Sequence, residues 1–176
     1  QDARGVAPRP FLAALEALQR ARNHEYRAVF FPGGHAPMVD FGNDGTLGDL
    51  LVAFKQSGRP IAAICHAPIV FRSAQFTRDT PDGSQRARKV FPFKGTRITT
   101  VSRFEEDTML RIGYPRLRGG TKLPYYVNQA LEKAGLDVRY ALLPGTPRIE
   151  RDGNVITGNG PQAMHRLVEA LRVILP

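Results

Sequence analysis

The sequence predicts a three-layer α/β sandwich, in which a mostly parallel central sheet lies between helices. Three observations point there. The strand candidates are short, continuous apolar runs, the pattern of strands buried on both faces. They alternate along the chain with stretches of helical periodicity. Finally, 176 residues, 42% of them hydrophobic, can build a real core without staples, so a single domain over 1–176 is expected.

The elements follow in order. Residues 10–22, "PFLAALEALQRAR", place Phe11, Leu15 and Leu18 on one helical face. "YRAVFF" is an apolar strand stopped by Pro32, Gly33 and Gly34. Residues 46–57 carry Leu47, Leu50, Leu51 and Phe54 at helical spacing. "PIAAIC" is a second buried strand, and "HAPIVFRS" opens a helix with Pro68 in its first turn. The polar stretch "TRDTPDGSQRARK" reads as an exposed loop. "TRITTV" is a third strand, residues 124–134 a helix stopped at Gly135, and "LDVRYALL" a fourth strand. "IERDGNVIT" has the pattern of a hairpin around Asp152-Gly153, and a last helix runs from Pro161 to Leu175.

The formal net charge of +9 invites a nucleic-acid reading. The arginines, however, are spread along the chain, with only a loose concentration at Arg78, Arg86, Arg88 and Lys89, and no aromatic residues interleave with them. A solvated basic surface that favours anionic substrates is the expectation, without nucleic-acid binding. One cysteine forms no internal disulfide, and no apolar run approaches the ~20 residues of a membrane span. A cytoplasmic protein is expected. The opening "QDARGVAPRP" has neither an initiator Met nor a signal-peptide centre, so a removed leader or a truncated chain is expected.

In a sheet of this kind, ligands sit beyond the carboxyl ends of the strands. Two strand ends carry chemistry. "FFPGGHAP" ends in Gly33 and Gly34, which let backbone N–H groups turn toward a bound oxygen. "AICHAP" ends in Cys65, the only cysteine, and enters a helix at once. A helix N-terminus favours a thiolate, and the thiolate is the nucleophile. The amides of Gly34 and His66 are placed to stabilise an oxyanion. Each signal alone has a plainer explanation: a buried core cysteine, a capping histidine, a tight turn. Their occurrence together at neighbouring strand ends favours a site.

The motifs "FFPGGHAP", "AAICHAP", "GTRITTVSRFEE" and "NVITGNGPQA", in that order, resemble the ThiJ/PfpI superfamily, the DJ-one and class I glutamine-amidotransferase-like fold of flavodoxin-like type. The branch of heat-inducible chaperones and glutathione-independent glyoxalases is the most similar, and "GGTKLPYYVNQALEKAG" also fits it. The resemblance implies Cys65 as nucleophile, His66 as its adjacent histidine, and Glu106 as the carboxylate orienting that histidine, with Glu105 a poorer substitute. An imidazole in this role needs such a carboxylate to fix its tautomer. It further implies Gly33, Gly34 and His35 as oxyanion and substrate-binding residues. Relatives begin with a strand–helix–strand that supplies a glutamate beside the cysteine. Residues 1–25 here supply only a helix, and neither Glu16 nor Glu25 follows a strand, so that segment and its carboxylate are expected to be missing. The late His-x-Glu of true glutamine amidotransferases is also missing, since His165 is followed by Glu169 and suits a helical face.

The leading functional expectation is a cysteine-dependent glyoxalase converting methylglyoxal to D-lactate without glutathione, or a related deglycase. A cysteine hydrolase of small peptides or amides is the second, and a holding chaperone or redox-sensing stress protein the third. No cofactor is expected. Adjacent Cys-His lacks the spacing of a structural zinc site, so no metal is expected either. The expected partners are a small aldehyde or amide, a second copy in a homodimer, and unfolded chains. Tyr125 and Tyr126 read as core and pocket wall, and Asp40 as a support for the "PGGH" loop.

Overall fold

The computed structural model describes residue 20, residues 26–113 and residues 123–175. The helix expected over 10–22 therefore lies almost wholly outside the described residues, as do Glu16 and Glu25. Within them the fold is mixed α/β around a mostly parallel sheet. Strand β1 (Val29–Phe31) pairs in parallel with β2 (Ile61–Ile64), which pairs in parallel with β8 (Val155–Gly158). Antiparallel β7 (Ile149–Asp152) completes the order β1-β2-β8-β7. The β7–β8 hairpin turns where expected. Its register pairs Asp152 with Val155, and Gly153 adopts the positive φ of +59° that the first turn position demands.

Successive residues of β2 point to opposite faces, and both faces are apolar. Ile61 and Ala63 join the larger core with Leu51, Phe54, Phe71 and Phe93, while Ala62 and Ile64 pack with Ile156 and Leu167 on the other side. Fully burying a side chain the size of Phe71 contributes about 2–3 kcal/mol. The continuous apolar run in the sequence is thus explained by helices on both faces: α2 (Gly45–Gln56) and α4 (Val127–Ala134) on one, α5 (Met164–Ile174) on the other. The short helix α1 (Pro37–Asp40) follows the Gly33-Gly34 turn. Asp44 caps α2 by accepting from the backbone N–H of Thr46 (2.6 Å) and Leu47 (3.2 Å). Gly135 ends α4 in the left-handed region at φ +95°.

Three expectations need correction. The helix after Cys65 is a 3-10 helix over Ala67–Gln75, with Pro68 in its first turn as expected. Its residues from Ala67 to Phe71 are all buried, packed against α2 and the sheet, and only Arg72 and Gln75 reach toward solvent, so no alternation of apolar and polar positions sets a 3.6-residue period. Secondly, the polar stretch 77–89 holds the expected exposed loop over 78–85, but its ends pair as strands, β3 (Phe76–Thr77) against β4 (Arg86–Ala87). Buried Asp49 organises it, accepting from Thr77 Oγ1 (2.6 Å), the backbone N–H of Arg78 (2.9 Å) and the Arg88 guanidinium. Thirdly, "TRITTV" and "LDVRYALL" pair only over β5 (Arg97–Ile98) and β6 (Asp137–Val138), in parallel. Side-chain acceptors replace ladder partners around β5. Arg97 N–H donates to Asp152 Oδ2 (2.8 Å) and Thr99 N–H to Thr157 Oγ1 (2.7 Å).

Helix α2 packs closely on the end of the 3-10 helix and the start of β3 at Gly48. A Cβ built on Gly48 would stand 2.2 Å from the Ser73 carbonyl oxygen and 2.6 Å from that of Phe76. Backbone cannot yield as a side-chain tip can, so Gly48→Ala is expected to destabilise the fold by about 3 kcal/mol, at the upper end for overpacking. Urea unfolding should show a lowered midpoint with an unchanged slope; an unshifted midpoint would contradict this packing.

Candidate active site

Cys65 sits where β2 ends and the 3-10 helix begins, and it is the only non-glycine with positive φ (+63°) among the described residues. A non-glycine held in the left-handed region costs about 1–3 kcal/mol and persists only when its surroundings impose it. Here three hydrogen bonds do so. Cys65 N–H donates to the Gly158 carbonyl (2.9 Å), and the Cys65 carbonyl accepts from Thr100 Oγ1 (2.6 Å) and the Val101 N–H (3.3 Å). β8 and the 100–101 segment thus grip the peptide from both ends. The sharp turn lifts the side chain out of the sheet, giving the elbow geometry that presents a nucleophile.

The three residues expected to cooperate are brought together. Cys65 Sγ lies 3.1 Å from His66 Nδ1, and His66 Nε2 lies 3.0 Å from Glu106 Oε1. Both His66 and Glu106 are buried. Glu106 projects from the first turn of α3 (Arg103–Arg111), whose start is fixed by a capping box between Ser102 and Glu105. Glu105 is thereby spent: it bonds the Ser102 N–H (3.0 Å) and hydroxyl (2.9 Å) and accepts from the Gly145 N–H (3.1 Å). The choice between the two glutamates is therefore one of helix position, which sends one to the cap and the other to the histidine.

Burial by itself would lower the His66 pKa. The hydrogen bonds with Cys65 and Glu106, and the negative charge of each, outweigh it and raise the imidazole to about 9. A protonated ring donates from both nitrogens, to the sulfur on one side and the carboxylate on the other. An imidazolium against Sγ is the counter-charge that a thiolate needs. His35 lies against His66 with ring centroids 4.3 Å apart and planes tilted by 44°, and its own pKa is lowered, first by burial and then by the charge of His66. The two histidines are thus driven apart, one toward the cation and one toward the neutral ring.

The glycines position the neighbouring loop. A Cβ on Gly33 would stand 2.8 Å from Cys65 Cβ, so only glycine lets the two strand ends approach. Gly34 has φ +101° and borders, with His35, Cys65, His66 and Glu106, a cavity of about 330 Å³. Asp40, at the exposed end of α1, forms no part of it. Tyr125 and Tyr126 brace the surroundings instead: the Tyr125 hydroxyl donates to the Met38 carbonyl (2.6 Å) and the Tyr126 hydroxyl to Asp107 (2.5 Å). His165 lies on the exposed face of α5, 3.5 Å from Glu169, as a helical face predicts. Among the described residues, no set of three His, Cys, Asp or Glu side chains has an arrangement suited to a metal ion. None of the described helices is long and apolar enough to cross a membrane.

The sequence reading missed the rest of the cavity wall. Val101, Met109, Leu110 and Leu123 supply an apolar side, and Asn159, Gly160, Pro161 and Gln162 another. The signal was present on α3, where Glu106, Met109 and Leu110 fall at i, i+3 and i+4 and so share a face. The net positive charge led to an expectation of anionic substrates, but no Lys or Arg is among the described residues bordering the cavity. The cations lie elsewhere on the surface.

His66, raised in the folded state, contributes stability that is fully present below its unfolded value near 6.5 and is lost as pH rises through about 9. In Glu106→Gln the raising charge is gone. The fall in unfolding free energy between pH 6.5 and 9.5 should then be smaller than in the wild type. NMR titration should find the His66 midpoint near 9 in the wild type and lower in the variant. Identical midpoints would show that Glu106 exerts no hold on the ring.

Comparison with known proteins agrees with this architecture. Residues 12–80 match the profile of the DJ-1/PfpI family. The chain is 29% identical over 157 residues to the protein/nucleic acid deglycase HchA of Pseudomonas aeruginosa, covering 89% of this chain and 49% of that protein. It spans about half the length of the curated relatives it matches. Among solved structures, the rapid encystment protein of Francisella tularensis superposes with a TM-score of 0.70 at 22% identity, over 90% of this chain and 62% of that one. Glyoxalase III of Candida albicans superposes with a TM-score of 0.66 at 22% identity, over 89% and 62%. At those identities the two structures attest the shared fold alone. Over residues 12–80 in sequence, and over most of its length in fold, the chain is thus similar to the DJ-1/PfpI family.

Proposed function

We propose that this protein is a cysteine-dependent enzyme of the glyoxalase or deglycase type, converting methylglyoxal to D-lactate without glutathione. The observation that carries the reading is the continuous relay from Cys65 Sγ through His66 to Glu106 at the wall of the cavity. The names of the deglycase and glyoxalase relatives point in the same direction.

In this reading the Cys65 thiolate attacks the aldehyde carbon, forming a C–S bond and an oxyanion that faces the Gly34 and His66 amides. The proton on the former aldehyde carbon moves to a base and returns to the adjacent carbon, through an enediol. The first carbon is oxidised to a thioester and the second reduced to an alcohol, so no external oxidant enters. Water then cleaves the C–S bond and restores the thiolate. His66 serves as the counter-ion of the sulfur, and His35, whose pKa is lowered first by burial and then by the charge of His66, is a candidate for the proton shuttle because a neutral imidazole both accepts and donates a proton.

The same elbow serves acyl transfer, so a cysteine hydrolase of small amides is the competing reading; it predicts a burst of amine product and no hydroxy acid. The test incubates the intact chain with methylglyoxal and follows D-lactate. Product formation should vanish in Cys65→Ser and fall about 10²–10³-fold in Glu106→Gln, the range for losing an acid/base partner. Lactate formation equal to that of Cys65→Ser would sink the reading.

A further inference from the structure

The reactive groups take up only part of the cavity. Resting on the glyoxalase-type reading, we propose that the site selects 2-oxoaldehydes with an uncharged apolar substituent of about six carbons over three-carbon methylglyoxal. The specificity wall is the α3 face that bears Met109 and Leu110.

Volume is the first argument. At about 30 Å³ for each water-sized group, the five heavy atoms of methylglyoxal take about 150 Å³, and the ten of 2-oxooctanal about 300 Å³. The cavity measures about 330 Å³, so the smaller molecule leaves half of it without contacts. Geometry is the second. Leu110 lies one helical turn past Glu106, about 6 Å along the axis, and both border the cavity with Met109. A methyl group on the carbon next to the reacting one does not extend that far, whereas a hexyl chain does. The third argument is chemical. Val101, Leu123 and Pro161 continue the apolar lining, and Glu106, held by His66, is the one charged carboxylate in it. The amide of Asn159 is spent on Thr146 and Arg148, Gln162 is left as the uncharged polar side chain of that wall, and among the described residues no Lys or Arg borders the cavity to recognise an anionic tail.

The reaction balances for the larger substrate as for the smaller. R-CO-CHO gains one water and becomes R-CHOH-COOH. The aldehyde carbon is oxidised, its neighbour is reduced, and the C–S bond made in the first step is broken by hydrolysis.

The experiment compares kcat/KM of the intact chain for 2-oxooctanal and methylglyoxal, both alkyl oxoaldehydes of like intrinsic reactivity. It measures 2-hydroxyoctanoate and lactate by mass spectrometry and subtracts the Cys65→Ser blank. The expected ratio favours 2-oxooctanal at least tenfold, in line with the discrimination that a few buried methylenes provide. Leu110→Trp, which fills the distal end, should lower that ratio at least tenfold. If this variant does not fold, Leu110→Asn should lower it in the same direction. A wild-type ratio under ten, with Cys65-dependent lactate still formed, overturns the selectivity and leaves the glyoxalase reading standing. An unchanged ratio in a folded Leu110 variant overturns the assignment of the wall. No Cys65-dependent hydroxy acid from either substrate overturns both readings.

Discussion

The structure depends on one unfavourable backbone conformation. Cys65 is held at positive φ where a strand, a helix and two loops meet, and every feature of the site follows from that turn. It swings Sγ away from the buried sheet and onto His66 Nδ1. It brings the Cys65 Cβ so close to the "PGGH" loop that position 33 has room only for glycine. It also places the Cys65 carbonyl where Thr100 and Val101 can hold it, which fixes the segment leading into α3 and hence Glu106. The strain is offset by hydrogen bonds drawn from β8 and from residues 100–101, elements distant in sequence. A local turn has thus become a tertiary property.

Electrostatics completes what the turn begins. A histidine as buried as His66 would ordinarily be neutral. It is raised because a sulfur and a carboxylate approach it from opposite sides of the ring. That charge then lowers the pKa of the neighbouring His35, adding to the effect of burial. Two residues of the same chemical type, in contact ring against ring, thereby have their pKa values shifted in opposite directions. The division follows from position: one ring lies between two acids, and the other against a cation.

Much of this was legible in the sequence, and the limits are physical. The parallel sheet showed in apolar runs such as "IAAI" because burial on both faces abolishes alternation. The C-terminal hairpin showed in Asp152-Gly153 because turn chemistry is local. Cys65 and His66 were singled out by adjacency at a strand end, while Glu106 came through resemblance, since no local rule separates it from Glu105. The capping signature Ser102-x-x-Glu105 would have separated them. The 76–87 ribbon was hidden because it is held by Asp49, far away in sequence, and strands of two residues carry no pattern. The 3-10 helix was hidden because its buried apolar stretch, Ala67 to Phe71, suits either helical period.

The pairing of β2 with β8 also governs when the thiol acquires its setting. Residue 61 pairs with residue 155, and the Cys65 N–H is held by the carbonyl of Gly158. Contacts between such distant positions form late, because a long loop must close before they compensate its entropy. During synthesis, Cys65 leaves the ribosome long before β8 exists. A nascent chain lacking residues 155–158 is without the Gly158 hold on the elbow and has only the contacts of Thr100 and Val101 to set it. The Cys65 turn is therefore completed only after β8 has been made, long after the cysteine itself.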